Sequence, residues 1–167
     1  MNPTTICTTI LGPEKFEAIL NELSTPQVKA VLKKGDLKIK NPSGYVSQHK
    51  RREIWKVKIL GAVNQGNDEL AAELLQQWLL HHRRAILMIF LDLLAVKHQH
   101  GETDESFLIT RPAHKIREAA SSLLSQHARE EVKAYLLYIA YQQRSPVFDD
   151  WEELGASAVP LTAFPPP

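Results

Sequence analysis

Apolar side chains recur at intervals of three and four through most of this chain, the spacing that gathers them on one face of an α-helix. Phe16, Ile19, Leu20 and Leu23 form the first such stripe, and Pro13 suits its first turn because a proline there gives up no intrahelical hydrogen bond. Ser24-Thr25-Pro26 interrupt it and open a shorter stripe through Val28, Val31 and Leu32 that stops at Gly35. Asn41-Pro42-Ser43 is the strongest start signal, since asparagine caps free N–H groups and proline again fits the first turn. The helix it opens is expected to reach about Val63, where Gly61, Asn64 and Gly66 mark its end. Asn67 or Asp68 then caps a helix whose inward positions are Leu70, Leu74 and Trp78, flanked by Ala71, Leu75 and Leu79.

After His81-His82-Arg83-Arg84 the pattern changes, and Ala85 to Val96 is apolar on nearly every side, as befits a helix in the middle of a bundle. No glycine or proline punctuates the polar tetrad, so residues 68–97 read as one helix with a basic collar or as two, with a slight preference for a break. Lys97 to Arg111 is polar, holds Gly101 and is expected to be a loop. Pro112 opens a helix through Ile116, Ala119, Ala120, Leu123 and Leu124. A last long helix turns Val132, Tyr135, Leu136, Ile139 and Ala140 inward, with Glu130 and Glu131 near its positive N-terminal end. Phe148-Asp149-Asp150-Trp151 is expected to add one more turn. Sustained alternation of apolar and polar residues is lacking, as are hairpin turn signals between such runs. The fold expected is all-α: an irregular bundle of about six or seven helices around a central apolar helix. Residues 1–12 are expected to be a flexible N-terminal segment, 13–155 a single helical domain and 156–167 a proline-rich disordered tail.

With 167 residues, 44% of them apolar, the chain can bury a core without disulfide or metal staples. A formal charge of +1 excludes any global attraction to nucleic acid or anionic membrane, so electrostatic function has to be local. The single cysteine, Cys7, rules out an internal disulfide and suits a reducing, cytoplasmic location; in a loose segment it is expected to be an exposed thiol. Met1 to Leu11 lack a basic start and a long apolar run, unlike a secretory signal. The twelve residues from Ala85 to Val96 include Asp92 and are too few to span a bilayer.

Local charge is most uneven between Lys29 and Lys58, where ten cations face only Asp36 and Glu53. Lys38, Lys40, Lys50, Arg51, Arg52 and Lys56 can grip phosphates there while Tyr45 and Trp55 stack on bases. The same residues also suit a solvated helix face with its aromatics in the core. His98 and His100, with Glu102, Asp104 and Glu105, form a small group of metal-competent side chains, but all come from one polar loop and no distant ligand joins them. No metal and no cofactor is therefore expected. Adjacent His81 and His82 point different ways on a helix and do not make a clamp. Asp92 is expected to be buried with a partner such as Arg84, Lys97 or Tyr138. Phosphate-binding glycine loops, nucleophile elbows and metalloprotease motifs are lacking, which lowers the expectation of an enzyme. Tyr138 and Tyr141 lie beside the inward stripe of the last helix, which leaves one or both for the surface; with Trp151 they are the candidates for anchoring a protein partner.

Trp78-Leu79, Arg84, Leu87, Phe90-Leu91-Asp92, Leu94, Val96, His98 and Gly101-Glu102 stand in a pattern that continues through Ile116-Arg117-Glu118-Ala119 and Glu130-Glu131-Val132 to Tyr135-Leu136. Leu70 to Ala140 thereby resembles uncharacterised bacterial all-helical proteins, a resemblance that implies a helical fold and no assigned activity. Ile39 to Val46 is similar to the helix start in the acidic N-terminal domain of heterogeneous nuclear ribonucleoprotein Q. That likeness spans Ile19 to Arg52, and this stretch is basic where that domain is acidic. The expected function is a non-enzymatic helical interaction module that binds a protein partner. The alternative is a nucleic-acid-binding protein that uses residues 29–58.

Overall fold

A computed structural model of the protein describes residues 1–37 and 47–154. Those residues are mostly helical and form no strand. The elements are α1 (Pro3–Thr5), a π-helical turn (Ile6–Ile10), α2 (Gly12–Glu22), α3 (Thr25–Lys34), α4 (Gln48–Asn64), α5 (Asp68–His82), α6 (Arg84–Leu93), α7 (Phe107–Thr110), α8 (Ala113–Gln126), α9 (Arg129–Gln142) and a 3-10 turn (Glu152–Leu154). Seven of these helices have ten residues or more, as the periodicity predicts. The expected start at Asn41-Pro42-Ser43 and the proline-rich tail lie outside the described residues.

Helix ends sit where short polar side chains can satisfy free backbone groups. The Ser24 N–H donates to Gln27 Oε1 at 2.6 Å at the start of α3, Ser47 accepts from the Lys50 N–H in α4, and Asn67 accepts from the Leu70 N–H in α5. Gly35 ends α3 so close to Leu70 that a Cβ there has no room, which lets α3 lie tightly on α5. Helix α5 is the hub, packed against α1, α2, α3, α4, α6 and α9. Trp78, Leu74 and Leu70 on it are fully buried. Helix α6 lies against α5, α8 and α9, and its Phe90 meets Phe107 and Tyr135 edge to face at 6.0 and 5.6 Å.

Three local expectations change. Residues 1–12 are packed rather than flexible, because the Thr4 N–H and hydroxyl both donate to Asp68 Oδ1 and draw Ile6, Cys7 and Leu11 into the core. The apolar run 85–96 is buried on one face only: Leu93 is 48% exposed and Asp92 points to solvent, since its neighbours on that side of α6 leave it uncovered. The loop expected over 97–111 contains the helical turn α7, which drives Phe107 and Leu108 inward. The segment after α9 also packs down. Arg117 Nε and Nη2 both donate to the Val147 carbonyl at 3.0 and 2.9 Å, and Phe148 stacks on Trp151 at 5.6 Å.

The break between α5 and α6 falls at Arg83, whose backbone leaves helical geometry at φ −129°. Its Nε donates to Glu131 Oε2 at 2.6 Å, its Nη2 to Glu22 Oε1 at 3.1 Å and its Nη1 to the His82 carbonyl at 2.9 Å. Lys15 Nζ completes the network at 2.5 Å from Glu131. The guanidinium also lies 5.2 Å from the Trp78 ring, whose indole N–H donates to Glu22 Oε2. Burial pushes the Glu131 carboxyl up, but hydrogen bonds and charge from Arg83 and Lys15 outweigh it and hold the group below its ordinary value.

Two outcomes follow. Burial raises the Cys7 thiol to about 12, so iodoacetamide is expected to label it only on unfolding; labelling at the rate of a free thiol in native buffer would show that the N-terminal segment is not docked. Because the Glu131 carboxyl titrates lower in the folded chain, its stabilisation is complete above the ordinary value of 4.5 and drains as pH falls below it. Glu131→Gln is expected to cost about 2 kcal/mol at neutral pH, with the gap to the parent chain closing in acid; a gap constant from pH 7 to 3 in thermal melts contradicts the network.

Candidate functional site

The polar residues singled out in the sequence divide sharply by what they touch. Lys38, Lys40 and Tyr45 lie outside the described residues. Lys50 and Arg51 are exposed at the start of α4, and Arg51 shares a shallow hollow with Lys29. Arg52, in contrast, donates to the Asn21 and Leu23 carbonyls, where a cation satisfies the free end of α2. Lys56 bonds Asn21 Oδ1 and Glu53. Trp55 is 8% exposed and packs into the core, with Lys29 above its ring.

The expected metal-competent loop becomes a clamped turn. Gln99 and Glu102 exchange backbone hydrogen bonds at 2.9 and 3.1 Å, with His100 at φ 54° and Gly101 at φ 89° between them. Both central residues are left-handed, as a type I′ turn requires. His98 holds the turn to the bundle: its Nδ1 accepts from the Gly101 N–H at 3.2 Å and its Nε2 lies 3.0 Å from Asp92 Oδ1. An acceptor Nδ1 places the proton of the neutral ring on Nε2, where it donates to the carboxylate. Asp92 is therefore a solvent-facing positioning group paired with His98, not a buried acid paired with Arg84, Lys97 or Tyr138. Glu105 pairs with Arg111 at 2.9 Å. Among the described residues no three His, Cys, Asp or Glu side chains converge on a point that can hold a metal.

The turn forms one wall of a partly enclosed cleft of about 260 Å³ between α5, α6 and α9. Leu79, Leu87, Leu91, Phe107 and Ile139 line its apolar part, and Gln76, Gln142, Tyr138, Glu102 and Asp104 stand around its mouth. Tyr138 is 5% exposed, so of the two candidate tyrosines only Tyr141, at 43%, reaches the surface. The Tyr138 hydroxyl accepts from Gln142 Nε2 at 2.6 Å and faces Gln76 Oε1 at 3.4 Å. Burial, with Glu73 and Tyr141 nearby, pushes its pKa up, so it is a neutral hydrogen-bonding group. Tyr135, one turn earlier, also lines the cleft and is kept neutral by burial. Sequence reasoning turned Tyr135 inward with the last helix and did not place it in a cleft; its three-residue spacing from Tyr138 was the available sign that the two lie on neighbouring positions of one face.

A second, open groove runs along the neighbouring face of α9. Met1, Leu137, Ala140, Tyr141 and Phe148 supply its apolar surface, with Arg144 and Asp149 at its edge. Trp151 is half-buried and reaches this groove only through its stack on Phe148. No protein-family model, curated protein or solved structure matches the chain.

The clamp has a direct signature. Nitrogen-15 spectra of the neutral His98 ring are expected to show the proton on Nε2, and His98→Ala is expected to speed amide exchange at Gly101 about tenfold or more, the loss of one hydrogen bond. A proton on Nδ1 contradicts the assignment.

Proposed function

We propose that this chain is a non-enzymatic helical module that binds a protein partner, and that the groove beside α9 receives it. The observation that carries this reading is the company of Met1 and Tyr141, 45% and 43% exposed, on one groove floored by Leu137, Ala140 and Phe148. Large apolar side chains left in water beside an apolar floor are what an interface anchor requires. Arg144 stands at the edge, exposed and without an ion pair or side-chain hydrogen bond among the described residues. Its charge complements a partner segment with an aliphatic or aromatic side chain for the floor and a carboxylate for the rim.

Nucleic-acid binding through residues 29–58 has less support. Lys50 and Arg51 remain exposed, but Arg52 and Lys56 are engaged with α2 and Trp55 is buried. A groove with five apolar residues and, among the described residues, one arginine beside Asp149 also suits a protein segment better than a phosphate backbone.

A photo-reactive residue at position 141, introduced in cells of the native host, is expected to give one discrete protein adduct that Arg144→Glu abolishes and Lys50→Glu leaves intact. Tyr141→Ala is expected to change stability by no more than about 0.5 kcal/mol, as for an exposed side chain. Absence of an adduct, or the same adduct from exposed Val57 on α4, overturns the reading.

A further inference from the structure

Tyr135 presents an anomaly inside the cleft. It is 3% exposed, yet its hydroxyl makes no hydrogen bond with any described residue, whereas Tyr138 one turn away is held by two glutamines. The hydroxyl is not sealed in the core but opens into the hollow that the phenol lines, where its partner has to come from the occupant of that space. A cavity of roughly 150 Å³ lined by aliphatic side chains holds a benzene ring; this one has about 260 Å³.

The mouth has a definite electrical character. Glu102 and Asp104 stand on it, exposed and without ion pairs among the described residues, and no lysine or arginine lines the cleft. The cations Arg84 and Lys97 line the adjoining hollow on the far side of Glu102 and Asp104, and Arg84 spends its Nε on the Leu80 carbonyl. The acidic rim is also held in place. Gly101 presses against Leu87, so that a Cβ on it meets Leu87 Cβ at 3.1 Å, and His98 fixes its N–H. Carboxylates at the entrance repel anions and favour a cation, the aliphatic walls take an apolar body, and the phenol at depth asks for one hydrogen-bonding atom.

We propose that this cleft is a binding site for a small aromatic amine: a ring bearing one hydrogen-bonding group that meets the Tyr135 hydroxyl, and a short chain that carries its ammonium out to Glu102 and Asp104. The site adjoins the α9 groove, with Gln142 lining both, but its argument does not depend on the partner reading.

Three probes dissect it by calorimetry on the full chain: tyramine, which has both polar ends; phenethylamine, which lacks the phenol; and 3-(4-hydroxyphenyl)propionate, which replaces the ammonium by a carboxylate. Tyramine is expected to bind most tightly, with each of the others about tenfold weaker or worse, the worth of one good polar contact. Tyr135→Phe removes only the hydroxyl. It is expected to weaken tyramine about tenfold, leave phenethylamine unchanged and leave the melting temperature unchanged, because the hydroxyl bonds no described protein group. The double change Glu102→Gln, Asp104→Asn is expected to weaken both amines and spare the propionate. The proposal is overturned if tyramine fails to bind at millimolar concentration or if the propionate binds as well. It also falls if Tyr135→Phe lowers stability, which would reveal an internal partner for the hydroxyl.

Discussion

Arg83 is the constraint around which the bundle is arranged. A guanidinium cannot shed its charge, so one drawn toward the interior demands acceptors on several sides. The chain supplies them from α2 through Glu22, from α9 through Glu131 and from its own backbone at His82. Meeting these partners takes Arg83 out of helical geometry and so separates α5 from α6. Without that break, a single helix across residues 68–93 could not lay Leu74 and Trp78 against one set of neighbours and Leu87 and Phe90 against another. The ion network contributes position more than net stability, since removing such charges from water offsets most of what their attraction returns.

The bend sets up the cleft. Once α6 departs from the direction of α5, Leu79 on one helix and Leu87 on the other face α9 across a space that no side chain fills. The chain after α6 closes one side of this space through left-handed residues, Ala95 at φ 51°, His100 at φ 54° and Gly101 at φ 89°. Alanine and histidine adopt this left-handed backbone at an energetic cost. Here the Asp92–His98–Gly101 hydrogen-bond chain offsets it and keeps Glu102 and Asp104 at the mouth.

The distribution of charge has a similar lesson. Read along the chain, residues 29–58 form one basic block; in three dimensions its members separate by task. Arg52 caps the carbonyl end of α2, Lys56 pairs with Glu53 and Asn21, and Lys50 and Arg51 stay in water. What a linear count presents as a phosphate-binding surface is in part helix termination and intramolecular pairing. An open groove with exposed apolar side chains lies elsewhere, along α9.

Local signals were legible without coordinates. Period-3.6 burial predicts each long helix, and Pro13, Ser24, Gly35, Asn67 and Pro112 mark ends that the structure bears out, because capping and helical spacing depend on residues within one turn of each other. Glu131 was legible only as a residue near a positive helix end; that it meets Arg83 and Lys15 depends on how α9 crosses α2 and α5. Cys7 offered no sign of its burial, since the hydrogen bonds from Thr4 that dock its segment end on Asp68, 64 residues away. Asp92 was misplaced for the converse reason: an apolar stretch reveals how much surface is to be covered but not which side the neighbouring helices cover. The amino-acid sequence thus determined the helices and most of their boundaries, which are local equilibria of spacing and capping. Tertiary packing alone decided which charges pair, which tyrosine hydroxyl meets glutamines and where an unfilled space remains, because each is a relation between surfaces far apart in the chain.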